Sequence, residues 1–125
     1  MLTAQNITKK FAGVTALDNV CLELQEGKVN AILGENGAGK STLMKILSGV
    51  YKDYEGQITL QGKPVRFSGT KAAQKAGIAI IHQELNLIPH LSITENVFLG
   101  QEIETVFGTL DKKQMRQKTT QLLKN

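Results

Sequence analysis

Apolar residues along the first half of the chain follow two periods. Residues 2–7 and 20–24 read as strands, the second with Val20, Leu22 and Leu24 at alternate positions, the spacing that turns one strand face toward a core. A turn at Glu26-Gly27-Lys28 leads into residues 29–33, VNAIL, which read as a buried strand ending at Gly34. The period then changes. Leu43, Ile46 and Leu47 share one side of a helix over about residues 40–48, and Gly49 stands where a helix C-terminal glycine is expected. Gly56 and Gly62 bracket a strand at 57–60, with 64–67 as its antiparallel partner. Pro64 is tolerated at a strand start, where its missing N–H breaks no central ladder. Residues 70–76 read as a short helix closed by Gly77, and the apolar run 78–81 as a strand buried on both faces. Ser92-Ile93-Thr94-Glu95 forms a capping box before a short helix ending near Gly100. Asp111 caps a last, polar helix, on which Met115, Leu122 and Leu123 make a thin apolar stripe. The order strand, loop, helix, hairpin, helix, strand predicts a mixed α/β domain.

Composition narrows the function classes. The 125 residues are 41% hydrophobic and 21% charged, as in an ordinary globular domain. A net charge of +4 comes from 15 basic and 11 acidic residues spread along the chain, without a basic run interleaved with aromatics. Such a surface gives no ground for a nucleic-acid partner. The single cysteine, Cys21, forms no internal disulfide and asks for no oxidising compartment. Its place in the alternating VCLEL predicts a small buried hydrophobe. The N-terminal residues lack the apolar core of a signal peptide, and no run reaches membrane-spanning length. A cytoplasmic chain that meets a membrane only through a partner is expected.

The strongest chemical signal is Gly34-Glu35-Asn36-Gly37-Ala38-Gly39-Lys40-Ser41, which fits G-x-x-x-x-G-K-[ST] between a predicted strand and a predicted helix. Gly34, Gly37 and Gly39 allow backbone conformations closed to other residues and a close approach to polyphosphate. Successive N–H groups then form an anion nest at the positive end of a helix dipole. In this geometry the Lys40 ammonium meets the β- and γ-phosphates, the Ser41 hydroxyl ligates Mg²⁺, and Thr42 hydrogen-bonds a phosphate oxygen. His82 and His90 stand eight residues apart with no cysteine cluster beside them, a spacing that does not suit a metal.

GENGAGKSTLMKILSG, followed by IIHQELNLIPHLSITENVFLG, closely resembles the ATP-binding subunit of an ABC transporter. Within that superfamily it resembles the bacterial monosaccharide importers of the ribose, galactose and methylgalactoside type. The resemblance runs from ITKKFAGVTALDNV to residues 98–100 and is weakest after Gly100. It implies a P-loop NTPase fold of ABC ATPase type: residues 1–90 an ATP-binding core with an antiparallel β subdomain, residues 91–125 the start of a helical subdomain. Phe11 matches the aromatic that stacks on adenine, with Phe in place of the more usual Tyr. Gln83 matches the glutamine that reaches Mg²⁺ and the attacking water, in a loop that touches the membrane subunit. The resemblance thus implies ATP and Mg²⁺ as ligands. As partners it implies permease subunits, a sugar-binding protein acting through them, and a second ATPase domain. It places the chain on the inner face of the cell membrane.

The same resemblance calls for parts that the sequence does not contain. Residues 101–125 hold no signature sequence like LSGGQ, no Walker B strand ending in Asp, no adjacent catalytic Glu and no switch His. Glu102 and Glu104 follow no apolar run, and Asp111 begins a polar helix. No general base is identified, and hydrolysis by this chain alone is not expected, since phosphoryl transfer to water needs the nucleophile oriented as well as the charge neutralised. The chain reads as a front half whose strand at 29–33 lacks its neighbours, so Ile32 and Leu33 are expected to leave apolar surface open. A truncated, non-hydrolysing nucleotide-binding remnant is the alternative reading. Other P-loop folds fit less well: there is no N-K-x-D guanine reader, and Arg66 and Arg116 are the only arginines.

Overall fold

The computed structural model describes residues 1–81 and 87–124. The chain falls into two compact units, Met1–Ile81 and His82–Asn125.

The first unit is organised by a four-stranded antiparallel sheet of β1 (Leu2–Phe11), β2 (Val14–Leu24), β3 (Glu55–Leu60) and β4 (Lys63–Val65), in the order β2-β1-β3-β4. Its helices are α1 (Lys40–Leu47) and α2 (Thr70–Lys75). Leu43, Ile46 and Leu47 of α1 join Ile7, Leu17, Tyr54 and Ile58 in one buried cluster. The helix face foreseen from spacing is therefore the face that packs.

Both long strands exceed the expected 2–7 and 20–24, and a bulge is the reason. The buried positions of β1 are Leu2 and Ala4, then Ile7 and Lys9. The phase of the alternation slips by one at Asn6, whose φ is +54°, and β2 carries its own left-handed residue at Asn19, with φ +51°. Pairing shifts register there on both sides of β1. On β3 the bulge meets Gly56 (φ +96°), where a Cβ would stand 2.4 Å from the Asn6 carbonyl oxygen, so only glycine fits.

Cys21 is exposed, not buried as the VCLEL pattern suggested. It lies opposite the bulge, where its sulfur accepts the Asn6 N–H at 3.3 Å, a donor that the interrupted ladder would otherwise leave unpaired.

The two expected buried strands are not formed. Residues 29–33 are irregular, with Val29 fully exposed and Leu33 91% exposed. Residues 78–81 are irregular as well, and Ile81 is 91% exposed. A strand buried on both faces needs ladder partners on both sides, and among the described residues neither segment joins a sheet.

In the second unit, α3 (Ile93–Val97) opens with the expected capping box. Glu95 Oε2 accepts from the Ser92 N–H at 2.9 Å and its hydroxyl at 2.7 Å, which holds the Glu95 carboxyl below its ordinary value. The Asn96 side chain bonds both backbone groups of Ile88. In α4 (Lys112–Leu122), Asp111 caps the Gln114 N–H at 2.9 Å. Met115 is buried, whereas Leu122 and Leu123 are exposed, so the apolar stripe is narrower than the sequence suggested.

Candidate functional site

The loop that enters α1 turns through left-handed backbone. Gly37 and Gly39 have φ of +87° and +84°, and Gly39 is the N-cap of α1. Gly39 is also wedged against β2. A Cβ there would stand 2.6 Å from the Ala16 carbonyl oxygen and 2.7 Å from Leu17 Cδ2. Conformation and contact both exclude a larger residue, and together they fix the start of α1 beside β2. No side chain caps this helix, and its first turn carries no acidic residue. Its leading N–H groups, which have no partner within the helix, point out at the loop with the positive end of the dipole.

Lys40 folds back over the loop. Its ammonium donates to the carbonyl oxygens of Gly34 at 2.6 Å and Glu35 at 2.7 Å, while the Ala38 N–H closes the turn on the Glu35 carbonyl at 3.2 Å. A Cβ at Gly34 would stand 3.4 Å from Ala38 Cβ and 4.0 Å from Lys40 Nζ, so glycine keeps the inner side of the loop clear around the ammonium. A lysine cation over a concave backbone loop, ahead of an uncapped helix, is suited to polyphosphate. Ser41 is exposed and Thr42 half-buried on the first turn of α1. The Ser41 hydroxyl is a hard oxygen donor of the type Mg²⁺ takes singly, beside phosphate oxygens and water.

Residues 34–42 thus come together as one site. Phe11 lies apart at the end of β1, paired with Val14, and is 39% exposed. From Val14 to Leu17, where Gly39 docks, is about 10 Å along β2. Gln83 and His82 fall outside the described residues, and His90 is exposed.

Two residues that no sequence motif singles out, Tyr51 and Lys9, stand against Phe11, and a third, Asp53, holds Lys9. Tyr51 meets its ring edge-on, with centroids 5.3 Å apart at 69°. The Lys9 ammonium stands 4.8 Å from the Phe11 centroid and 5.6 Å from that of Tyr51. Lys9 is 4% exposed and ion-pairs with exposed Asp53 at 2.6 Å. The one available signal was that Lys9 and Phe11, two apart on a strand, share a face; nothing in spacing leads to Tyr51 or Asp53.

The hydrogen bond from Lys9, then the backbone and the Lys9 charge, hold the Asp53 carboxyl below its ordinary value. A lowered carboxylate stabilises the fold above the ordinary aspartate value, and that contribution is lost as pH falls through the lowered one. Thermal melting of the chain between neutral pH and about pH 3 is therefore expected to show an acid-side loss that Asp53→Asn reduces. Parallel curves for the two proteins would contradict the pairing.

The profile of the ABC transporter family matches residues 17–125. The chain belongs to the ABC transporter family. It is 53% identical over 123 residues to the ribose import ATP-binding protein RbsA of Caldanaerobacter subterraneus subsp. tengcongensis, covering 98% of this chain and 25% of that protein. A putative ribose/galactose/methyl galactoside import ATP-binding protein of Pseudomonas fluorescens is 50% identical over 123 residues, covering 98% and 24%. This ABC chain therefore spans about a quarter of the length of the curated relatives it matches. Among solved structures, it superposes with a TM-score of 0.72 and 29% identity on a dimeric ATP-binding cassette in a post-hydrolysis state bound to ADP and Pi, covering 99% of this chain and 56% of that one. Its fold is that of the ABC ATPase cassettes. No helix among the described residues is long and apolar enough to cross a membrane.

Proposed function

We propose that this ABC chain is the ATP-binding part of an ATP-driven monosaccharide importer subunit. The observation that carries the reading is the loop of residues 34–41, closed by the Lys40 ammonium and locked to β2 through Gly39. In this reading the loop N–H groups and Lys40 hold the β- and γ-phosphates. Thr42 adds a hydroxyl contact, and Phe11 offers its ring to adenine. Ser41 and Gln83 hold Mg²⁺, which when bound neutralises phosphate charge, and Gln83 also contacts the attacking water. The chain supplies the cradle and not the remaining groups that hydrolysis needs, so it binds ATP without turning it over alone.

Sugar import as the coupled process is supported by the 53% and 50% identity to ribose and galactose import proteins. The partners in this reading are permease subunits, through them a sugar-binding protein, and a second ATPase domain. The site is cytoplasmic, on the inner face of the membrane. Near Gln83 in sequence, Leu87, Ile88, Ile93 and Val97 are exposed around a hollow of about 340 Å³, the kind of apolar surface that takes a protein partner.

A chimera tests the whole reading. This chain replaces the matching segment of a ribose import ATP-binding protein, and ribose-dependent growth is measured in a strain lacking that protein. Growth that Lys40→Ala abolishes is the expected result. A stable chimera that accumulates normally but supports no uptake would reject the sugar-import assignment.

A further inference from the structure

We infer that Lys9 and Tyr51 are positioning residues that hold the Phe11 ring as a base-binding platform, with Asp53 anchoring Lys9. This rests on the ATP-binding reading and extends it to residues which that reading does not use.

A stacking platform needs a fixed plane, and a partly exposed phenylalanine at a strand end does not have one by itself. Here two neighbours restrict it. The edge-on contact with Tyr51 fixes one side of the ring. The Lys9 ammonium, 4.8 Å from the centroid, lies over the ring, and 39% of the residue stays open to a ligand.

Packing does not account for Lys9. A buried ammonium costs more to desolvate than an apolar side chain of its size. Among the described residues its one ion-pair partner is Asp53, itself exposed. Tyr51 is in turn placed by α1: its N–H donates to the Lys45 carbonyl at 3.1 Å, and the Lys45 ammonium lies 5.8 Å from its ring centroid. The helix that starts at the phosphate loop therefore also ends at the Phe11 support. Phosphate end and base end are tied through one rigid element.

The test compares ATP with inorganic tripolyphosphate, which shares the phosphates and lacks the base. Each is titrated calorimetrically, with Mg²⁺, into the wild-type chain, Tyr51→Leu, Tyr51→Phe and Asp53→Asn. Tyr51→Leu is expected to weaken ATP by about three- to tenfold and to leave tripolyphosphate within about twofold. Tyr51→Phe keeps the ring and should bind ATP like wild type. Asp53→Asn, at an exposed position that leaves the core intact, should weaken ATP by about twofold or more and spare tripolyphosphate.

Unchanged ATP affinity in both Tyr51→Leu and Asp53→Asn would overturn the inference, as would equal losses for the two ligands. A wild-type chain that binds tripolyphosphate and ATP equally would also overturn it, while leaving the phosphate loop standing. A wild-type chain that binds neither would instead reject the ATP-binding reading itself.

Discussion

Gly39→Ala is expected to destabilise the first unit by about 2–5 kcal/mol, combining about 1–2 kcal/mol for a left-handed backbone carrying a Cβ with about 1–3 kcal/mol for overpacking. The overlap is with atoms that have little room to yield. One is a carbonyl oxygen of β2, 2.6 Å from the added carbon, and the other is a branch of buried Leu17. Relief would require α1 to lift from β2, which would open the cluster of Leu17, Leu43 and Ile46. Gly37→Ala is the matched control: its φ of +87° imposes the same backbone strain, but nothing lies within 4 Å of the added carbon. Urea unfolding should place Gly39→Ala well below Gly37→Ala in midpoint, with similar slopes. Equal midpoints would mean that Gly39 is not wedged against β2.

Lys40→Ala is expected to weaken Mg·ATP binding by roughly tenfold to more than a hundredfold, the worth of one charge-assisted bond to phosphate at about 1.5–3 kcal/mol. Folding should hardly change. The ammonium's present partners are two loop carbonyls on exposed residues, Gly34 and Glu35, and water can replace it there. Lys40→Arg should not restore full binding, because a planar fork does not reproduce a compact point charge inside a tight loop. Calorimetric titration beside a thermal melt separates the two effects. A variant that melts like wild type and binds ATP equally well would remove Lys40 from the site.

The loop that enters α1 was legible in the sequence because its shape depends on residue types at contiguous positions. Gly37 and Gly39 take the left-handed backbone, Lys40 opens the helix, and the roles proposed for Lys40 and Ser41 follow from that fixed order. The helix caps at Ser92 and Asp111 were legible for the same reason, since each acts within three residues of itself. What the sequence hid depends on distant partners. The apolar runs at 29–33 and 78–81 record a demand for burial between neighbours, but a run of apolar residues does not say where its neighbours are. The β1 strand was cut short at Ile7 because the bulge at Asn6 reverses the alternation, and a period-two rule reads that reversal as an end. Cys21 was misplaced although the alternation itself turns it outward: Val20, Leu22 and Leu24 pack against the cluster, and Cys21 stands between them on the other face. The support around Phe11 joins residues 9, 11, 51 and 53 across two strand ends and a helix exit, a meeting set by the fold and by no spacing along the chain.

The most direct measurement is an amide ¹H–¹⁵N correlation spectrum of the chain, titrated with Mg·ATP. Saturable shifts are expected at the amides of residues 34–42 and around Phe11 and Tyr51, with little change along β3 and β4. Absence of shifts at residues 34–42 up to millimolar ATP, or saturation confined to some other surface, would contradict the assignment of this loop as the nucleotide site.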